Sequence, residues 1–154
     1  PVLATAVGRV GWVLSWIGVT AAGALWLSVL AGVAEASGAV LVTGDGALFW
    51  PTVLGHGVQF APVWLLIGVA TLLYGLVPRL LGLVWLVFIA GSVLSMFGRM
   101  LQLSQRWLNL SPFEHVGQHP ATDVGWTGVI LLAGAAILLA VFGAYAFRRR
   151  DLTA

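Results

Sequence analysis

Four apolar runs, at residues 11–34, 46–77, 80–98 and 124–147, dictate most of what this chain can become. A hydrocarbon core roughly 30 Å thick is crossed by about 20 helical residues, so each run is long enough to span a bilayer. With their connectors the four runs take up nearly all of the 154 residues, leaving no room for a soluble catalytic domain. Inside lipid every backbone N–H and C=O must be paired within its own segment, which selects helix. The expected fold is therefore all-α, a polytopic helical membrane protein with four transmembrane helices. A mean hydropathy of +1.04 points the same way.

The longest polar interruption, residues 99–123, lies between the third and fourth spans. From Arg99 to Leu110 the polar residues Arg99, Gln102, Gln105, Arg106 and Asn109 share one helical face, opposite Met100, Leu103, Trp107 and Leu110. That pattern predicts a short amphipathic helix lying at an interface. Ser111-Pro112 should stop it, and Gly117 and Pro120 preclude a second long helix before Asp123. Unpaired backbone cannot face lipid, so this bent, re-entrant element has to sit in headgroups, against protein or beside water.

Between the first two spans, Glu35 to Asp45 has the composition of a loop, with Asp45 placed to cap the helix that restarts near Gly46. Pro51 falls in the first turns of the second span, where its missing N–H is tolerated, and Pro62 is expected to kink it. At about 48 Å the 46–77 run is too long for a straight crossing. Its first part, with Trp50, His56 and Gln59, should lie in the headgroup zone or line a protein surface. Pro78 and Arg79 form a tight connection to the third span. Small residues four apart, Gly18/Ala22, Gly91/Ser95 and the stripe Ala136, Ala140, Ala144, mark faces suited to close helix approach.

Arg148 to Arg150 orient the chain: by the positive-inside rule they are cytoplasmic, which puts Arg79 and Arg9 on the same side. The carboxylates Glu35, Asp45, Glu114 and Asp123 then lie outside with Arg99 and Arg106, so the 99–123 element is extracellular. Basic residues scattered in this way fit topology and exclude nucleic acid as a partner. Pro1 follows either removal of a Met or the edge of a longer chain, and no signal peptide is evident.

The chemistry-bearing residues are few. There is no GxxxxGK[ST] loop and no Lys to complete one. There is no Cys either, which excludes thiolate chemistry. Glu114, His115 and His119 have a spacing that would suit a metal only on a helix, which Gly117 and Pro120 oppose, so no metal site is expected. His56 and Gln59 sit near the outer end of their span as substrate-path candidates, with solvation as the bland alternative. Trp50, Trp107 and Trp126 read as an aromatic belt, with substrate contact the sharper alternative. The mid-span regions carry almost no ionisable group, which disfavours an ion relay.

Four strings, PVLATAVGR before the first span, LYGLVPRL at the tight turn, SPFEHV in the polar element and the terminal FRRRDL, occur in order along the chain. Together they resemble the C-terminal portion of bacterial ABC-2 type (type V-like) exporter permeases, in particular the actinobacterial exporters of polyketide antibiotics, the tetronasin-transport type. His119 before Pro120 and the Trp-rich first span depart from the family pattern. The resemblance implies that residues 1–154 are the last four helices of a six-helix permease unit, with short extracellular helices dipping into the membrane before the final span. It further implies a bacterial plasma-membrane location and export of drugs, antibiotics or lipid-like molecules. The chain itself would be no enzyme and would hold no cofactor. ATP and Mg would be bound by a partner ATP-binding cassette subunit with two nucleotide sites, and the other partners would be the remaining permease helices or a second permease unit, membrane lipid and a hydrophobic substrate.

On that footing Arg9, Pro78 and Arg79 form the expected ATPase-coupling face. Trp107, Phe113 and His115 form the extracellular gate, and His56, Gln59, Phe97 and Met100 line the substrate path. The alternative is a self-contained four-helix channel or scaffold; a membrane-embedded enzyme using Glu114, His115 and His119 comes third.

Overall fold

The computed structural model describes residues 8–148. Pro1 and the terminal Arg149 and Arg150 lie outside the described residues, as does most of the approach segment before the first span; of Arg9 only the backbone is described. Among the described residues the structure is helical without strands, and four helices or helix pairs are long and apolar enough to cross a membrane.

Helix α1 runs from Arg9 to Thr43, about 52 Å at the usual rise. It continues well past Glu35, where the sequence predicts a loop. The loop-like polar residues are absorbed by the helix: Ser37 Oγ donates to the Val33 carbonyl at 2.7 Å and Thr43 Oγ1 to the Ala39 carbonyl at 2.8 Å. Termination comes at Gly44, whose φ of 72° is a left-handed cap that returns its N–H to the Val40 carbonyl.

Asp45 caps as the sequence predicts, its side chain accepting the Ala47 N–H at 2.9 Å at the start of a 3-10 turn, Gly46–Leu48. The long second run then divides into α2 (Phe49–Val58) and α3 (Phe60–Leu76). The break falls at Gln59, three residues before Pro62, rather than at the proline itself. Pro62 has no N–H for the Val58 carbonyl and its ring crowds the preceding turn, so the helix is interrupted there and restarts with Pro62 in its first turn.

A 3-10 turn at Pro78–Leu80 leads into α4 (Leu83–Phe97). After the polar segment, which contains a single helical turn α5 (Gln105–Leu108), the chain closes with α6 (Trp126–Arg148). The tightest pairing is α3 with α6. Gly68 lies against the Ala136 backbone and Gly75 against Gly143, so close that a Cβ at either would collide with a carbonyl. Small residues achieve here what lipid-solvated helices need, a near approach of backbones. Ala136 and Ala144 of the expected stripe are buried.

The Gly18/Ala22 face of α1 is exposed, and nothing lies near Gly18. The contact rotates to Ala21, whose carbonyl accepts the Trp64 indole N–H at 3.1 Å, and to Gly32, which packs on Val53 and His56 of α2. An indole buried against apolar helices needs an acceptor, and a helix carbonyl made accessible by a small residue supplies one. Elsewhere the outer faces present large apolar side chains such as Trp26, Leu86, Ile130 and Leu138, the arrangement expected where lipid is the solvent.

The helices alternate so that one end collects the start of α1, the Pro78–Leu80 turn and the end of α6. There Val13 packs with Ala144 and Phe147, and Tyr74 stacks on Phe147 at 5.3 Å. The opposite end collects Glu35, His56 and the 99–123 segment.

Candidate functional site

The polar segment is not the amphipathic helix that its periodicity predicts between Arg99 and Leu110. Residues 98–102 form turns, with Gln102 at a φ of 53° and the Leu103 N–H returning to the Gly98 carbonyl at 2.9 Å. Only Gln105–Leu108 is helical. The expected faces dissolve for a physical reason: Leu108 is the side chain that buries, against Gly98, leaving Trp107 and Leu110 exposed, and Arg99 turns away to a distant partner.

That partner is Glu114. Its side chain is only 2% exposed, and its carboxylate accepts from Arg99 Nη2 at 2.9 Å and from Ser95 Oγ at 3.3 Å. Arg99 Nη1 donates to Gln118 Oε1 at 2.8 Å. The guanidinium fork thus ties the end of α4 to two points of the segment, and a buried carboxylate with charge-assisted donors escapes the heavy cost of an unpaired one.

Ser111 anchors a second point. Fully buried, its Oγ donates to the Gly91 carbonyl at 2.9 Å and accepts the Phe113 N–H at the start of the 3-10 helix Pro112–Val116. Gly91 is small enough for Pro112 and Phe113 to lie over it, and Phe113 also meets Phe88 edge-on. The Gly91/Ser95 face therefore packs on protein, as its spacing suggests.

On its other sides the segment is held by α6 and α2. His115 backbone lies against Gly125 and Gly128, and Val116 is fully buried with Val58, Ala61 and Val129. The His119 carbonyl abuts Gly55. Gly117, at a φ of 78°, makes the reversal that only glycine adopts without strain.

Between the segment and α2 opens a cleft of about 580 Å³, lined by His56 and Gln59 on one wall and Gln118, His119 and Pro120 on the other. His56 Nε2 lies 3.0 Å from a Glu35 carboxylate oxygen and its Nδ1 lies 3.3 Å from the Thr52 carbonyl, so both ring nitrogens face acceptors. His119 Nδ1 faces the Thr122 carbonyl at 3.2 Å, within reach for an N–H at that nitrogen to donate to it.

Of the path candidates, His56 and Gln59 line this cleft. Phe97 and Met100 do not; both are exposed, at the end of α4 and in the following turn. The three gate candidates face different surroundings: Trp107 outward, Phe113 onto α4, and His115, an exposed residue, with its Nδ1 on the Ser111 carbonyl. Pro78 and Arg79 occupy the turn at the opposite end, near the start of α1 that carries Arg9. Glu114, His115 and His119 are engaged with separate partners, and no group of three metal-ligating side chains occurs among the described residues.

Sequence reasoning missed Gln118 as a cleft and clamp residue and Glu35 as the partner of His56. Glu114 and Gln118, four apart and with an Arg upstream, carried a faint signal; Glu35 and His56 meet only because α1 continues and α2 folds back along it.

The family model described as "Multidrug efflux system permease Rv1217c, C-terminal domain" matches residues 1–148. The multidrug efflux system permease protein Rv1217c of Mycobacterium tuberculosis (strain ATCC 25618 / H37Rv) is 34% identical over 151 residues, which cover 97% of this chain. The chain spans 28% of that relative's length.

Proposed function

The chain belongs to the family of the Rv1217c-type multidrug efflux permease C-terminal domain, and from that premise we propose that it forms the closing part of the transmembrane permease of an ATP-driven exporter. The substrates are drugs, antibiotics or lipid-like molecules moved out of the cell. One observation carries this reading: the family match covers residues 1–148, which take in all four spans and the polar segment between the last two.

In this reading the Arg-rich end is cytoplasmic, with the N- and C-terminal ends of the chain on that side. Arg9, Pro78 and Arg79 receive the movement of a separate ATP-binding subunit, which binds ATP and Mg and hydrolyses the nucleotide. The chain contributes no catalytic residue. The remaining permease helices complete the path, and the 99–123 segment covers its exit, with Trp107, Phe113 and His115 at the gate and His56 and Gln59 on the cleft wall that leaving molecules pass.

The test is ATP-driven transport by the full-length permease, reconstituted with its ATP-binding subunit in proteoliposomes and given a fluorescent cationic dye. Dye movement that needs ATP and stops when the subunit's nucleotide site is disabled supports the reading. Dye or ion flux indifferent to the subunit points to a channel and overturns it.

A further inference from the structure

At the end opposite the 99–123 segment, an open-sided groove of about 380 Å³ runs between α1 and α3. Trp12, Trp16 and Thr20 line it from α1, Thr71 and Tyr74 from α3, and Leu81 just beyond the Pro78–Leu80 turn. Arg79 is exposed, two residues before Leu81, and has no ion-pair partner among the described residues. Arg148 ends α6 on the same side. The carboxylates of the described residues, Glu35, Asp45, Glu114 and Asp123, belong to the opposite end, so among the described residues the charged side chains at the groove's end, Arg79 and Arg148, are both positive.

We propose that the groove is a binding site for an anionic phospholipid, with an acyl chain between the α1 indoles and α3 and the phosphate headgroup on Arg79. Basic positions beside clefts between transmembrane helices select anionic headgroups, and indoles settle at headgroup depth. A neighbouring helix is the rival occupant, and the lining disfavours it. Helices in lipid approach one another over small residues, as α3 and α6 do at Gly68, Gly75 and Gly143, whereas this groove presents Trp12 and Trp16 one turn apart.

The experiment uses the full-length protein in lipid nanodiscs of equal phosphatidylglycerol and phosphatidylethanolamine with identical acyl chains, followed by native mass spectrometry of the lipid that stays bound. The wild type should retain phosphatidylglycerol preferentially. Arg79→Gln should lower that retention about fivefold, the worth of one basic side chain at a membrane surface, and leave phosphatidylethanolamine unchanged. Arg106→Gln, at the other end, should match the wild type.

Equal retention of the two lipids overturns the proposal, and so does an equal loss from Arg106→Gln and Arg79→Gln. A photoreactive residue at Thr20 gives a readout free of any folding defect: an adduct of phospholipid mass supports the site, and an adduct to another segment of the protein replaces the lipid with a helix.

Discussion

Arg99 donates a 2.9 Å hydrogen bond to Glu114, yet the two side chains live in different media: the arginine is 52% exposed and the glutamate 2%. The pair joins the end of α4 to the 3-10 helix fifteen residues on, across a stretch that holds only one helical turn. Since Ser95 and Gln118 complete the network, α4 and the 112–118 region are held as one body.

That asymmetry sets an order of severity. Arg99→Ala strips the main counter-charge from a buried carboxylate and should cost about 2–3 kcal/mol, at or just below the low end of the cost of breaking a fully buried pair because half of the arginine is solvated. Glu114→Gln removes the charge with its shape kept, leaves Arg99 free to hydrate, and should cost about 1 kcal/mol. Unfolding of the detergent-solubilised protein followed by tryptophan fluorescence measures both, and equal losses would mean that the carboxylate is not the strained partner.

The α3–α6 seam gives a contrast within one helix. A Cβ at Gly143 would meet the Thr71 backbone, whereas nothing lies within 4 Å of a Cβ at Gly134. Gly143→Val should therefore destabilise by about 1–3 kcal/mol through overpacking, and Gly134→Val by much less. If thermal midpoints fall together, the close approach of α3 and α6 is not what stabilises the bundle.

Ser111 and Glu35 separate buried from exposed polar contacts. Ser111→Ala removes a wholly buried hydroxyl and leaves the Gly91 carbonyl without that donor, a loss of about 1 kcal/mol or more. Glu35→Gln weakens a 3.0 Å contact with His56 whose carboxylate side is 64% exposed, and should change stability by no more than about 0.5 kcal/mol. The same fluorescence unfolding assay ranks the two, and a larger effect at Glu35 would show that the α1–α2 hairpin depends on the Glu35–His56 contact rather than on packing at Gly32.

How much of this was readable from residue order depends on which interaction decides each element. Apolar runs and proline positions act locally, so the four spans, the Asp45 cap and the Pro78 turn are all written in the sequence; Pro112, expected to stop a helix, instead begins the 3-10 helix Pro112–Val116, since the helical turn before it has already ended at Leu108. The end of α1 is not: Ser37 and Thr43 look like loop residues until their hydroxyls are seen returning to helix carbonyls, and the real stop signal was Gly44. The polar segment misled in the opposite direction. Its 3.6-residue pattern is genuine, but Arg99 is claimed by Glu114 and Leu108 by Gly98, and contacts of this kind leave at most a faint trace in spacing.

The gate reading can be tested cleanly because Trp107 and Phe113 differ in what they touch. Phe113 packs over Gly91 and against Phe88, so Phe113→Ala should lower stability by about 2–3 kcal/mol and confuse any loss of transport with a loss of fold. Trp107 is 59% exposed on the single turn α5, and Trp107→Ala should stay within about 0.5 kcal/mol of the wild type. Its effect on transport is then its own. A residue lining the exit should change ATP-driven efflux several-fold, in rate or in the order of preferred dyes, at an unaltered unfolding midpoint. If Trp107→Ala transports every dye as the wild type does, the indole is an interfacial anchor of the aromatic belt and the exit lies elsewhere, with the His56 and Gln59 wall of the cleft the next surface to probe.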